Sequence, residues 1–177
     1  MDWFTKRPEH ERRIVRSSAR PSVSEISEEL LIGEYPAYED IRWLKDVYNI
    51  GAVHNLQDDE DLRLHGLTRA ELQRNCEALG IKFVNTPIQD GSADAMAQGL
   101  KPALDQLHKL VLTHRRVYLH CNAGLNRAPT LAIAFLRAYR GMSLNEALAV
   151  VKKQRACGPF MTVLEEHFGP RDLKPDK

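Results

Sequence analysis

At 177 residues, with 43% apolar and 28% charged side chains, the chain has the composition of a soluble globular protein with material for one substantial core. A net charge of +1 excludes a strong global attraction to nucleic acid or to an anionic membrane, and no apolar run has the length of a membrane span. The three cysteines leave an odd thiol, which argues against a disulfide framework and for a reducing compartment, taken as the cytoplasm.

The first 24 residues are basic and lack the apolar stretch of a secretory signal, while Asp2, Glu9 and Glu11 go against a transit peptide. A solvated tail is expected, whose Arg12, Arg13, Arg16 and Arg20 are available to an acidic partner. A domain is expected over residues 25–168. Residues 26–36 read as a short strand entering a turn at Gly33. Ile41, Leu44, Val47 and Tyr48 have helical spacing that stops at Gly51. Residues 52–57 form the next strand, followed by an acidic loop, Asp58-Asp59-Glu60-Asp61. Thr68 and Glu71 have the spacing of a capping box opening a helix that ends at Gly80. Residues 81–88 read as a strand, 89–99 as a loop of small residues, 100–114 as a helix and 115–120 as a strand. Three helical stretches follow, the second opened by Ser143 and Glu146 as another capping box, before a polar C-terminal tail over 169–177. Strands alternating with helices predict an α/β fold, a central and mostly parallel sheet flanked by helices.

Directly after the last predicted strand stands "HCNAGLNRAP", residues 120–129. A loop between a strand and a helix N-terminus is a phosphate-binding arrangement, because backbone N–H groups and the positive end of the helix converge on it. Asn122, Ala123, Gly124, Leu125 and Asn126 would supply the amides, and Gly124 gives the backbone the freedom such a loop needs. The same positive potential favours the thiolate of Cys121. Arg127 can bind two phosphate oxygens at once, which a lysine does less well.

These residues resemble the His-Cys-x5-Arg signature of the cysteine-dependent dual-specificity phosphatases, of the protein tyrosine phosphatase superfamily, and the resemblance runs over about residues 25–168. It implies the fold of that superfamily and a reaction in which Cys121 attacks phosphorus to give a phosphocysteine. Arg127 and the loop amides would stabilise the equatorial oxygens, and His120 would support the cysteine from behind. The family's general acid is an aspartate about thirty residues before the cysteine; Asp90, 31 residues before, is favoured over Asp94. No metal or other cofactor is implied. Many family loops carry Ser or Thr after the arginine, where this chain has Ala128, which predicts slow breakdown of the intermediate.

Within the family the loop looks closest to the glucan phosphatases, laforin and the plant starch-excess enzymes, as do "NLQDDEDLRLHG" and "QRACGP". The uncharged loop side chains fit a singly phosphorylated substrate and go against polyphosphorylated lipids. Sugars stack on aromatic faces, yet the positions that match the plant enzymes' aromatics are Leu64, His65, Gly91 and Gly158. Tyr35, Tyr38, Trp43 and Phe160 could form a different platform. The expected substrate is therefore a phosphorylated protein, carrying phosphotyrosine and phosphoserine or phosphothreonine, with a phosphoglucan as the alternative. Two further readings are a non-catalytic phosphate-binding module and a zinc site of His114, His120 and Cys121; the second lacks a Cys-x-x-Cys partner. Cys76 and Cys157 read as structural, and nothing in the sequence fixes an oligomeric state.

Overall fold

The computed structural model describes residues 18–176. Its elements, in order, are β1 (Val23–Glu25), β2 (Leu30–Gly33), α1 (Asp40–Tyr48), β3 (Ala52–Asn55), α2 (Asp59–Leu64), α3 (Arg69–Ala78), β4 (Lys82–Asn85), α4 (Ala93–His114), β5 (Val117–His120), α5 (Arg127–Tyr139), α6 (Leu144–Gln154) and α7 (Met161–Phe168). The strands form one sheet in the order β1-β2-β5-β3-β4. All neighbours are parallel except β1, which runs antiparallel to β2 at the edge. The expected helix-flanked, mostly parallel sheet is thus a mixed sheet.

Side-chain alternation along the strands explains its two covered faces. Leu30, Ile32, Val117 and Leu119 meet Leu100, Leu104, Leu131, Phe135 and Val151 from α4, α5 and α6 in one buried cluster. Leu31, Val53, Phe83 and Tyr118 point the other way and meet Ile41, Leu44, Leu72 and Cys76 from α1 and α3. Helix α5 is buried from Arg127 to Arg137, as expected of an element at the centre of the packing.

Several elements depart from the sequence expectation. The segment read as one strand over 26–36 contains only β2, and Val23 and Ser24, placed in the tail, pair with Gly33 and Ile32. A three-residue edge strand has too short a pattern to be read locally. The acidic "loop" is the start of α2, where the Asp58 side chain accepts from the Asp61 N–H and the Asp61 carboxylate accepts from the Asp58 N–H. Aspartate does here what glutamate does in the usual capping box. Conversely, Glu71 does not complete a box with Thr68, because its carboxylate accepts from the hydroxyls of Tyr38 and Thr68. The Ser143–Glu146 box is complete. Helix α4 starts seven residues before the predicted position 100, capped by Ser92. Gly99 and Pro102 weaken the helical pattern there, but a Cβ on Gly99 would sit 2.7 Å from Ile88 Cγ1, so glycine lets α4 pack against the segment after β4.

Residues 1–17 of the basic tail lie outside the described residues. Arg20 is an ion-pair partner of buried Asp40 at 3.0 Å and lies over Trp43. Beyond α7, Arg171 O accepts from Asn145 N and Lys174 pairs with Glu146, so this segment folds back on α6. No helix among the described residues is long and apolar enough to cross a membrane.

Candidate active site

The parallel strands β2, β5, β3 and β4 all end on one edge, and the segments leaving them converge there, as ligand sites in open α/β sheets do. From β5 comes the loop of residues 121–126. From β3 come Leu56, Gln57 and α2, from β4 the segment holding Ile88 and Asp90, and from β2 Glu34 and Tyr35. The zinc reading fails on this geometry: His114 ends α4, before β5 begins, while His120 is the last residue of that strand and Cys121 follows it.

Every carbonyl oxygen from Cys121 to Asn126 has a partner outside the loop's own turn. His120 Nδ1 lies 3.0 Å from Cys121 O, Tyr35 N donates to Asn122 O at 2.9 Å, and Arg155 donates to Ala123 O and Gly124 O at 2.9 and 2.7 Å. Gly158 N donates to Leu125 O at 2.8 Å, and Thr130 to Asn126 O through both N and Oγ1. In a trans peptide the C=O and the following N–H point in opposite directions, and no cis peptide occurs among the described residues. Outward carbonyls therefore turn the next amides the other way. Among the described residues none of the amides of 122–126 donates a hydrogen bond, which leaves a concave set of donors suited to an anion. Gly124 adopts φ +67°, and a Cβ there would lie 2.6 Å from the backbone of Gly33; only glycine fits.

Cys121 lies at the base of this cradle, 3% exposed, while Leu125 at its rim is 44% exposed. Arg127, the first residue of α5, is fully buried. Its Nη1 donates to Asp61 Oδ2 at 2.7 Å, Ile88 O at 2.8 Å and Leu56 O at 3.4 Å. Neither Nε nor Nη2 has a hydrogen-bond partner; Nη2 lies 3.2 Å from Asp90 Oδ1, an ion pair without a hydrogen bond's alignment. These two N–H groups form the side-on fork that matches two oxygens of a phosphate. Burial works against the charge of Arg127, but Cys121, Asp61 and Asp90 more than offset it and raise its pKa above the ordinary value.

Asn122 binds the neighbouring segments together. Its side chain accepts from Gln57 Nε2 at 2.8 Å and donates to Asp61 Oδ1 at 2.7 Å and to Asp90 Oδ2 at 3.5 Å. Asp90 thus stands beside both Arg127 and Asn122, whereas Asp94 lies exposed in the first turn of α4. His120 is fully buried; desolvation lowers its pKa to about 4, against the pull of its bond to the Cys121 carbonyl. A carbonyl only accepts, so Nδ1 carries the proton and the ring is neutral. Ala128 is fully buried. The Thr130 hydroxyl, the next one along, donates to Asn126 O and accepts from Phe160 N. Cys76, Cys121 and Cys157 are free, and burial pushes the Cys76 thiol up to about 12.

Asp61, Gln57 and Arg155 were not expected from the sequence. The capping-box spacing of Asp58 and Asp61 was the one local signal. Of the expected aromatic platform, Tyr38 is spent on Glu71 and Thr68, Trp43 packs edge-on against Tyr48, and Phe160 joins the core. Tyr35 stacks on His65 with ring centroids 3.9 Å apart, beside the loop that its own amide contacts.

The family model described as "Dual specificity phosphatase, catalytic domain" matches residues 30–165. Similar proteins include human Dual specificity protein phosphatase 21, 32% identical over 76 residues, 43% of this chain and 40% of that one. Dual specificity protein phosphatase 22 of Xenopus tropicalis is 26% identical over 133 residues, 73% and 60% of the two chains. The amyloplastic phosphoglucan phosphatase DSP4 of Castanea sativa is 26% identical over 129 residues, 72% and 34%. The chain thus matches less than two thirds of the length of each of these relatives. Among solved structures, Tk-PTP in its active form superposes with a TM-score of 0.69 at 28% identity, covering 82% of this chain and 95% of that one. A mouse dual specificity phosphatase complexed with zinc tungstate gives 0.65 at 21%, covering 86% and 87%, a likeness of fold. With the family model running from β2 through the loop to α7, this chain belongs to the dual specificity phosphatase catalytic domain family.

Proposed function

We propose that the protein is a cysteine-dependent phosphoric monoester hydrolase acting on phosphotyrosine and on phosphoserine or phosphothreonine in proteins. The observation that carries this reading is the cradle itself: outward carbonyls, inward amides and the Nε and Nη2 of Arg127, free of hydrogen bonds, around Cys121. The Cys121 thiolate attacks phosphorus as the P–O bond to the substrate breaks, and Asp90 gives its proton to the leaving oxygen. The loop amides and the Arg127 fork hold the three equatorial oxygens, in positions fixed before the substrate arrives. Water then attacks the phosphocysteine, the Asp90 carboxylate takes its proton, and inorganic phosphate leaves with the thiolate restored. His120, neutral and bonded to the Cys121 carbonyl, orients the cysteine and takes no proton near neutrality. With Ala128 apolar and the Thr130 hydroxyl committed elsewhere, neither position after Arg127 offers a hydroxyl to assist departure of the Cys121 thiolate, and the second step is slow.

A phosphoglucan is the second substrate reading, favoured by the similarity to the chestnut enzyme and by the Tyr35–His65 stack beside the loop, a face on which a sugar ring can lie. Three free cysteines support a reducing compartment such as the cytoplasm.

Rapid-mixing assays with an aryl phosphate test the reading. Wild type should release a burst of phenol equal to the enzyme, smaller in Ala128→Ser, and Cys121→Ser should lose at least about a thousandfold in turnover. Phosphate binding with no turnover of any ester would leave a non-catalytic binding module. Rates on phosphotyrosine peptide, phosphoserine peptide and phosphorylated amylopectin order the substrates, and a strong preference for the last would put the phosphoglucan ahead of the phosphoprotein.

A further inference from the structure

Arg155 follows α6, far in sequence from the loop, yet it holds the two peptides at the loop's centre. The other loop carbonyls are held by backbone N–H groups or by immediate neighbours in sequence: Tyr35 N for Asn122, Gly158 N for Leu125, Thr130 for Asn126 and His120 for Cys121. Ala123 O and Gly124 O depend on one side chain, Arg155 Nη2 at 2.9 Å and Nε at 2.7 Å. Gly124 is the residue whose torsions are least restrained by its own chemistry. Its flanking peptides turn over most easily, and turning either would carry an amide of the cradle away from the anion. The guanidinium is itself held. Nη2 donates to Ser22 Oγ at 2.8 Å, and Nη1 to Ser24 Oγ at 3.2 Å and Ser22 O at 3.4 Å. Ser22 is in turn fixed by Glu34, whose carboxylate accepts from Ser22 N at 2.8 Å.

We infer that Arg155, braced by Ser22 and Ser24, is a positioning residue that locks the 121–127 loop in its anion-binding conformation. It touches neither substrate nor the reacting atoms; it acts through the direction of the Gly124 and Leu125 amides. The planar fork matters as much as the charge, because two carbonyls on successive residues need two donors at fixed spacing. Lysine supplies the charge without that geometry.

The inference rests on the phosphatase reading of the loop, and binding of tungstate, measured by calorimetry independently of turnover, separates the two. Wild type should bind tungstate. Arg155→Ala and Arg155→Lys should each bind about tenfold more weakly, the loss expected for charge-assisted hydrogen bonds, at a temperature where circular dichroism shows both folded. Added guanidinium ion at low millimolar concentration should restore binding in Arg155→Ala and leave Arg155→Lys unchanged. A role confined to stability would lower the melting temperature and leave the affinity of the folded protein untouched, so equal affinities in wild type and variants would overturn the inference. Should Arg155→Ala not fold, the paired change Ser22→Ala and Ser24→Ala takes its place, with about threefold weaker binding expected from the lost acceptors; undiminished binding there would overturn it equally. Failure of wild type to bind tungstate would instead bring down the parent reading of the loop, and this inference with it.

Discussion

Arg127 and Arg155 stand beside the same loop and spend their donors in opposite ways. Arg127 is fully buried, spends Nη1 on Asp61 and two carbonyls, and keeps Nε and Nη2 without hydrogen-bond partners. Arg155 is half-buried and spends all three nitrogens on protein oxygens. Both carry the same charge beside the same loop. Their roles differ because of the donors left over: Arg127 has a fork to offer a phosphate, and Arg155 has none. The surroundings differ in the same sense. Around Arg127 stand two carboxylates, Asp61 as an acceptor and Asp90 as an ion-pair partner, which a buried cation needs; around Arg155 the acceptors are neutral serines and peptides, sufficient for a charge still in contact with water.

The largest effect should come from breaking the Arg127 side. Asp61→Asn leaves a buried guanidinium without its hydrogen-bonded carboxylate and should cost about 3 kcal/mol of stability. Thermal unfolding should register this as a fall of about 6–12 °C, against less than about 1 kcal/mol for Ser22→Ala beside Arg155. Equal losses would mean that the two arginines are held alike. Next in size, Asp90→Asn should lower kcat about a hundredfold on alkyl phosphates, whose leaving group needs a proton, and far less on nitrophenyl phosphate. Asp94→Asn should change neither, and the reverse pattern would move the general acid to α4. The smallest effect sharpens the picture of what lies behind the loop. Burial holds His120 at a pKa of about 4 and His54, which it shares with a smaller repulsion from His120, at about 3. Both are below the unfolded value of 6.5, so the unfolded chain binds more protons as pH falls and stability drops with it. Between pH 7 and pH 6 each histidine should remove about 0.7 kcal/mol. A melting temperature flat over that interval would mean that the two rings are not held neutral.

Much of the site could be read from one stretch of chain. Cys121, the amide-bearing residues and Arg127 are contiguous, and a strand–loop–helix segment brings its own residues together without help from the rest of the fold. Asp90 could be proposed because it follows a strand at the family's spacing, but its contact with Arg127 and Asn122 depends on β4 lying two strands from β5. Asp61 hid in what read as an acidic loop, where neither its capping role nor its grip on Arg127 was expected. Arg155 and Ser22 left no local signal at all, since their pairing spans more than a hundred residues. Of the expected aromatic platform, tertiary packing removed Tyr38, Trp43 and Phe160 and turned Tyr35 onto His65.

By itself, then, the order of residues determined the alternation of strands and helices, the faces that are buried, and the one loop able to cradle an anion. Those properties follow from periodicities and torsions that act within a few residues. The tertiary structure decided which donors of each arginine remain without a hydrogen-bond partner, which aspartates stand by Arg127, and which way the loop's peptides face. Those are outcomes of hydrogen-bond competition between segments that meet only when the sheet forms.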